Sequence, residues 1–201
     1  MCIRDRTFAR VARTEQQLDA LADLMGGSAE GLPLDPDLRW QLLTGLVVGG
    51  RAGEPEIAAL LEEDATATGK EAALLARAAI QTSEGKDAAW ASLFASTELT
   101  NAQVESTVRG FKRVQDPALL RPFVERYFAG IEALWADRSF AIADSVARGA
   151  YPRPLADAAL AAAARSWLEE HADAPTPLRR LVAENLSRTE RALAAQARDA
   201  S

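Results

Sequence analysis

Residues 117–135 read PALLRPFVERYFAGIEALW. The large apolar residues Leu120, Phe123, Val124, Tyr127, Phe128, Ile131, Leu134 and Trp135 recur at intervals of three and four, which gathers them into one stripe of an α-helix. A stripe of that width must be covered. Burying one Phe, Tyr or Trp removes roughly 150–250 Å² from water, on the order of 4–6 kcal/mol at about 25 cal/mol per Å² before entropy is charged. A lone helix cannot supply the cover, so neighbouring helices on both sides are implied. Asp116-Pro117 opens this segment, and Pro122 predicts a kink or break inside its first turns, because proline lacks the donor and clashes with the carbonyl four residues back. With the stripe in a core, Trp135→Ala and Phe128→Ala would each cost about 3–5 kcal/mol.

Upstream, Thr14 and Gln17 make a capping box ahead of Leu18, Leu21, Leu24 and Met25, and Gly26-Gly27 stops that helix. After a loop, SAEGLPL at 28–34, Asp35-Pro36 starts PDLRWQLLTGLVVGG, with Leu38, Trp40, Leu42 and Leu46 as buried candidates and a second glycine pair as its stop. Pro55 starts a helix with Ile57, Leu60 and Leu61 inward and Glu62, Glu63 and Asp64 outward. Thr68 with Glu71 reads as the next capping box, and the short connection makes these two helices antiparallel neighbours. Ser83 reads as the cap of a helix bearing Trp90, Leu93 and Phe94; Thr100 and Gln103 box the start of one bearing Val104, Val108 and Phe111.

Downstream, Ser139 begins FAIADSVARGA, which YPRP at 151–154 terminates. Leu155–Glu170 reads as an alanine-rich helix with Leu160 and Trp167 inward. Thr176-Pro177 opens the last helix, carrying Leu178, Leu181, Val182, Leu186 and Leu193, whose end AAQARDAS is expected to fray. The sum is about ten helices, no alternating stretch that reads as a strand, and an all-α class: an irregular superhelix of stacked antiparallel pairs of the HEAT or armadillo kind, with units near ~40 residues.

A chain of 201 residues, 48% hydrophobic and 26% charged, is long enough to bury a real core. Twenty-three basic against twenty-nine acidic residues give −6 with no basic block, which speaks against nucleic acid. Cys2 is the one cysteine, so no internal disulfide forms. No apolar run approaches the ~20 residues that span a bilayer, and no leader pattern opens the chain, so the expected setting is cytoplasmic without membrane contact. MCIRDR at 1–6 has the look of non-native sequence; residues 1–12 are read as an N-terminal segment and 13–201 as the domain.

The chemistry-bearing residues are few. A zinc site of the HExxH kind needs two histidines a turn apart plus carboxylates, whereas His171 is the single histidine. A Ser/His/Asp arrangement lacks GxSxG, and the glycine pairs follow helices rather than a strand, unlike a phosphate cradle. No catalytic, cofactor-binding or metal-ligating residue is therefore assigned. His171 reads as a helix-end residue suited to the dipole, and Glu62-Glu63-Asp64 as a solvated face. Trp90, Phe94, Phe111, Phe123, Tyr127, Phe128 and Trp135 read as core before groove. Among Arg39, Arg77, Arg109, Arg121, Arg126 and Arg148, one on the inner face can clamp a peptide carboxylate; the others read as surface charges or intrahelical pairs such as Glu125 with Arg121.

DLRWQLL at 37–43, EEDATATG at 62–69, KDAAW at 86–90, RGFKRVQDPALLRPFVERYF at 109–128, Trp135 and Tyr151-Pro152 stand in an order that resembles the C-terminal, ERAP1-like helical domain of M1-family zinc aminopeptidases, in the actinobacterial aminopeptidase N branch. The resemblance runs from about Arg13 to the end. It implies a fragment that packs beside its own catalytic domain, closes a chamber over a zinc held there and limits peptide access. The zinc and the HExxH and GAMEN-type motifs belong to that other domain, no position here matches them, and this piece alone is expected to be inactive. The rival readings are a free-standing helical-repeat adaptor that binds a protein, and, more weakly, a helical small-molecule regulator with a closed pocket.

Overall fold

In a computed structural model the described residues are 3–27 and 34–200, and each helix can be traced to a local cause. Cys2 and most of the SAEGLPL loop lie outside them, as does Ser201. The helices are α1 (Ile3–Val11), α2 (Glu15–Met25), α3 (Pro36–Val48), α4 (Glu54–Glu63), α5 (Ala67–Ala78), α6 (Ser83–Phe94), α7 (Asn101–Phe111), α8 (Phe123–Asp137), α9 (Phe140–Gly149), α10 (Ala158–Glu170) and α11 (Thr176–Asp199). Two 3-10 turns, Pro117–Leu120 and Arg153–Leu155, complete them, and no strand occurs among the described residues.

The odd-numbered helices form one layer, each packed on the next from α1 to α11, while α2, α4, α6, α8 and α10 each lie on the odd helix that follows them. This is the expected all-α superhelix of antiparallel pairs. Its core is a row of clusters: Ala9, Leu18, Leu21 and Leu42 join α1, α2 and α3; Trp40, Val47, Ile57 and Ala76 join α3, α4 and α5; and a longer cluster runs from Ala78 to Val182. Each cluster touches only its neighbours, the near-linear architecture of stacked helical pairs. Ahead of Arg13, α1 packs on α3 through Ala9 and Ala12, both fully buried.

The odd layer closes tightly because small residues stand where its helices cross. A β-carbon at position 110 in α7 would lie 2.1 Å from the Leu75 carbonyl oxygen of α5, and one at position 149 in α9 would lie 1.7 Å from a Val108 methyl. Side chains of ordinary size would hold these helices apart.

Several starts agree with the reading from sequence. Thr14 and Gln17, and Thr100 and Gln103, form reciprocal capping boxes, and the Asp35 carboxylate accepts from the Leu38 amide at 2.7 Å. Gly27 and Gly50 take left-handed backbone at φ 80 and 72, as helix-stopping glycines do.

Other starts differ. The cap of α5 is Thr66, not Thr68, and that of α6 is Thr82, not Ser83. In each, the threonine hydroxyl accepts from a glycine amide three residues on, Gly69 or Gly85, both at 3.0 Å. The Asp64 carboxylate accepts from the Thr66 hydroxyl at 2.6 Å, and a β-carbon on residue 69 would fall 2.0 Å from the Asp64 carbonyl oxygen. The close approach of residue 69 to Asp64 thus requires a glycine there, and the first turn closes on Thr66 rather than Thr68. α10 begins at Ala158 rather than Leu155, because Asp157 accepts from the Leu160 amide at 2.8 Å and Ala156 turns left-handed at φ 39. α11 keeps its helical form to Asp199, further than the expected fraying.

Pro122 breaks the 117–135 segment: a 3-10 turn ends at Leu120, and α8 starts only at Phe123. Leu120, Phe123, Tyr127, Ile131 and Leu134 are buried, whereas Val124, Phe128 and Trp135 are half-buried. The apolar stripe is thus wider than the cover that α6, α7, α9 and α10 provide.

Candidate functional site

The aromatic residues of α6, α7 and α8 assemble into two ring clusters. Trp90 stacks on Phe94 at 4.0 Å and meets Phe123 at 5.1 Å; Phe111 meets Phe123 edge-on, also at 5.1 Å. In the second cluster Tyr127 meets Tyr151 at 5.5 Å and donates its hydroxyl to the Ala147 carbonyl at 2.7 Å. Burial pushes this phenol well above its ordinary range, so it stays a donor. Trp90, Phe111, Phe123 and Tyr127 are therefore core. Phe94 and Phe128 reach the surface at two hollows, and Trp135 meets Phe140, which is 65% exposed, edge-on at 5.6 Å.

One hollow, of about 590 Å³, lies between α6 and α8 and is lined by Trp90, Phe94, Arg126, Gly130 and Arg138 among others. Arg126 closes its floor, its guanidinium 4.8 Å from the Phe123 ring centre and paired with Asp87. A second, of about 610 Å³, lies between α8 and α10, where Val124, Phe128 and Trp167 supply apolar wall and Arg121, Glu125 and His171 the polar rim. A third, of about 360 Å³, is a shallow run along α11 from Arg180 to Arg191.

His171 sits at the end of α10 with its ring stacked on Trp167 at 4.7 Å. Its Nδ1 donates to the Trp167 carbonyl at 3.0 Å, and its Nε2 stands 3.8 Å from Glu132. Among the described residues no three His, Cys, Asp or Glu side chains gather where they hold a metal ion. One imidazole, already packed and hydrogen-bonded, does not fit the donor set of a catalytic zinc.

Five of the six arginines considered as carboxylate clamps are paired with carboxylates of the chain itself. Arg39 pairs with Glu63 at 2.7 Å, Arg77 grips Glu54 through Nε and Nη2, and Arg148 bridges Asp144 and Glu184. Arg126 pairs with Asp87, and Arg121 with Asp157 at 2.7 Å. Glu125 is not the partner of Arg121, since Pro122 ends the turn on which Arg121 sits and turns its side chain toward the start of α10. Arg109 has no such partner among the described residues. In the acidic run, Asp64 accepts from Thr66 at 2.6 Å and from the Trp40 indole at 2.9 Å, bonds that hold its carboxyl below the usual range.

Sequence inspection missed Lys86. Fully buried under α5 and α7, its ammonium donates to the Ala78 carbonyl at 2.8 Å and the Arg113 carbonyl at 3.3 Å. Burial, aided by the Arg113 charge, pushes it down to about 7 from an ordinary 10.5. Between those pH values the unfolded chain binds the extra proton, so stability is lower near pH 7 and rises toward pH 10.5. Urea midpoints taken at steps from pH 6.5 to 9 should climb, and Lys86→Met should flatten the climb; an equally steep rise in the Met variant would assign it to another group. Arg113, lowered only to about 10, keeps its charge through this range.

The order and packing of the helices define an all-helical repeat domain of stacked antiparallel pairs. The chain belongs to the ERAP1-like C-terminal domain family, whose sequence profile matches residues 3–191. It is similar to an aminopeptidase N of Streptomyces lividans, 42% identical over 198 residues that cover 98% of this chain and 23% of that protein. The chain thus spans under a quarter of the length of the curated relative it matches. Among the described residues no helix is long and apolar enough to cross a membrane.

Proposed function

We propose that this chain is the helical cap of a cytoplasmic M1-type zinc aminopeptidase, walling a chamber over a catalytic centre carried elsewhere in its parent and limiting which peptides enter. The observation that carries this reading is the match of nearly the whole chain, at 42% identity, to a 23% portion of aminopeptidase N. Supporting it, five arginines that are candidates for catching a substrate carboxylate pair with carboxylates of the domain instead, so these five serve its own architecture. Zinc belongs to the rest of the parent and, when bound there, supplies Lewis-acid activation of water.

Two measurements test this. The purified chain with added zinc should not hydrolyse leucine p-nitroanilide; chelator-sensitive turnover that co-purifies with it would contradict the reading. Substituted for the matching portion of the Streptomyces lividans enzyme, the chain should preserve that enzyme's ratio of short-peptide to long-peptide cleavage, whereas deletion of the portion should change the ratio. A ratio indifferent to both manipulations removes the cap role.

A further inference from the structure

Six basic side chains converge on one edge of the superhelix. Arg10 lies in the last turn of α1 and Arg13 just beyond it; Arg109 ends α7, Lys112 and Arg113 follow, and Arg153 stands in the turn ahead of α10. Topology brings them together. Successive helices are antiparallel, so the connections leaving odd-numbered helices share an edge. The Pro117–Leu120 turn packs on the Arg153–Leu155 turn, and Gln81 donates to the Arg113 carbonyl at 2.8 Å, tying the connection after α5 to the one after α7. Arg10, Arg13 and Arg109 act on the charge of Arg113, and Arg153 and Arg109 act on Lys112.

This edge is unlike the rest of the molecule. In a chain of net charge −6, most arginines elsewhere close on carboxylates of the domain, as Arg39, Arg51, Arg77, Arg121, Arg126 and Arg165 do, while Arg138, Arg179 and Arg191 bond singly to neutral oxygens rather than in a basic group. None of the six has a carboxylate partner among the described residues. The Arg113 Nη2 is enclosed without any hydrogen-bond partner, and the buried Lys86 ammonium lies against the carbonyl of the same residue. Gathering like charges and orphaning a guanidinium nitrogen both cost stability. A complementary anion at the surface would offset the first of these costs.

We infer that this edge docks carboxylate side chains of an acidic segment elsewhere in the parent polypeptide, an inference that rests on reading the chain as one part of a larger aminopeptidase. The shape favours a protein-borne partner over a small anion. The six groups are spread over three connections, and none lines the three hollows described above. Arg10, Arg13, Arg109 and Arg153 are exposed and can each present a planar fork to a carboxylate.

Calorimetric titration of the chain with hexaglutamate, hexaserine and inorganic phosphate tests it. Hexaglutamate should bind, should weaken as salt is added, and should weaken by about tenfold or more in R109Q/R153Q. Both positions are exposed, so the variant keeps its fold. R39Q, outside the cluster, should bind as the parent does. Hexaglutamate binding no tighter than hexaserine, undiminished binding in R109Q/R153Q, or phosphate binding as tightly as hexaglutamate would each overturn the inference, the last by making the edge a small-anion site. The cap reading fails separately, through an unchanged short-to-long cleavage ratio, whatever hexaglutamate does.

Discussion

Gly110→Val is expected to lower the stability of the chain by roughly 3 kcal/mol or more, at or beyond the upper end of ordinary overpacking. The cause is local. At position 110 a β-carbon would stand 2.1 Å from the Leu75 carbonyl oxygen and 2.8 Å from the Ala78 β-carbon. The first of these is backbone, which cannot swing aside as a side-chain tip can, so α7 must move off α5. That crossing lies mid-way along the odd layer, and the strain would pass to Phe111 and Val108, both buried on α7. Opposing this, valine gains a few tenths of a kcal/mol over glycine in helix propensity, an order of magnitude too little. Gly130→Ala is the control. In α8 its β-carbon would meet only the edge of the Phe94 ring at 3.4 Å, so the propensity gain should leave stability unchanged or raised by about 0.5–1 kcal/mol. Urea denaturation of both variants checks this; a loss under about 1 kcal/mol for Gly110→Val would mean that the α5–α7 crossing is looser than described.

How much of this was legible beforehand depends on the range of the interaction responsible. Thr14 with Gln17, Asp35 with Pro36, Thr100 with Gln103, and the break at Pro122 are settled within four residues, and all stand where the sequence places them. Thr66 and Thr82 were missed because each stands within two residues of another hydroxyl residue, and which one accepts from the first turn, here from the Gly69 and Gly85 amides, is not set by residue type. Arg121 was matched to Glu125 by spacing, whereas its partner Asp157 is 36 residues away. Lys86 reads in sequence as one more surface lysine; only the packing of α5 and α7 over it shows otherwise. The basic edge was invisible for the same reason, being drawn from helix ends up to 143 residues apart, Arg10 to Arg153. The family was legible because its signature is the order of several short fragments along the chain.

Phe123→Ala is expected to cost about 3–5 kcal/mol, and Trp135→Ala only roughly 1–2 kcal/mol, although a helical wheel treats the two alike. Phe123 is buried between Trp90 and Phe111, with both ring centres 5.1 Å away, under the guanidinium of Arg126. Truncating it empties a ring-sized space that rigid helices on three sides cannot close. Trp135 is half-buried, and its ring partner Phe140 is itself 65% exposed, so much of its surface already faces water and its removal leaves no cavity. Phe128, half-buried on the wall of the α8–α10 hollow, belongs with Trp135, which revises downward the 3–5 kcal/mol that the stripe alone implied for both. Against a typical total of 5–15 kcal/mol, Phe123→Ala should bring the chain close to unfolding at 37 °C while Trp135→Ala leaves it folded. Equal urea midpoints for the two variants would mean that Trp135 and Phe140 are covered in solution, by a second copy of the chain or by another part of the domain.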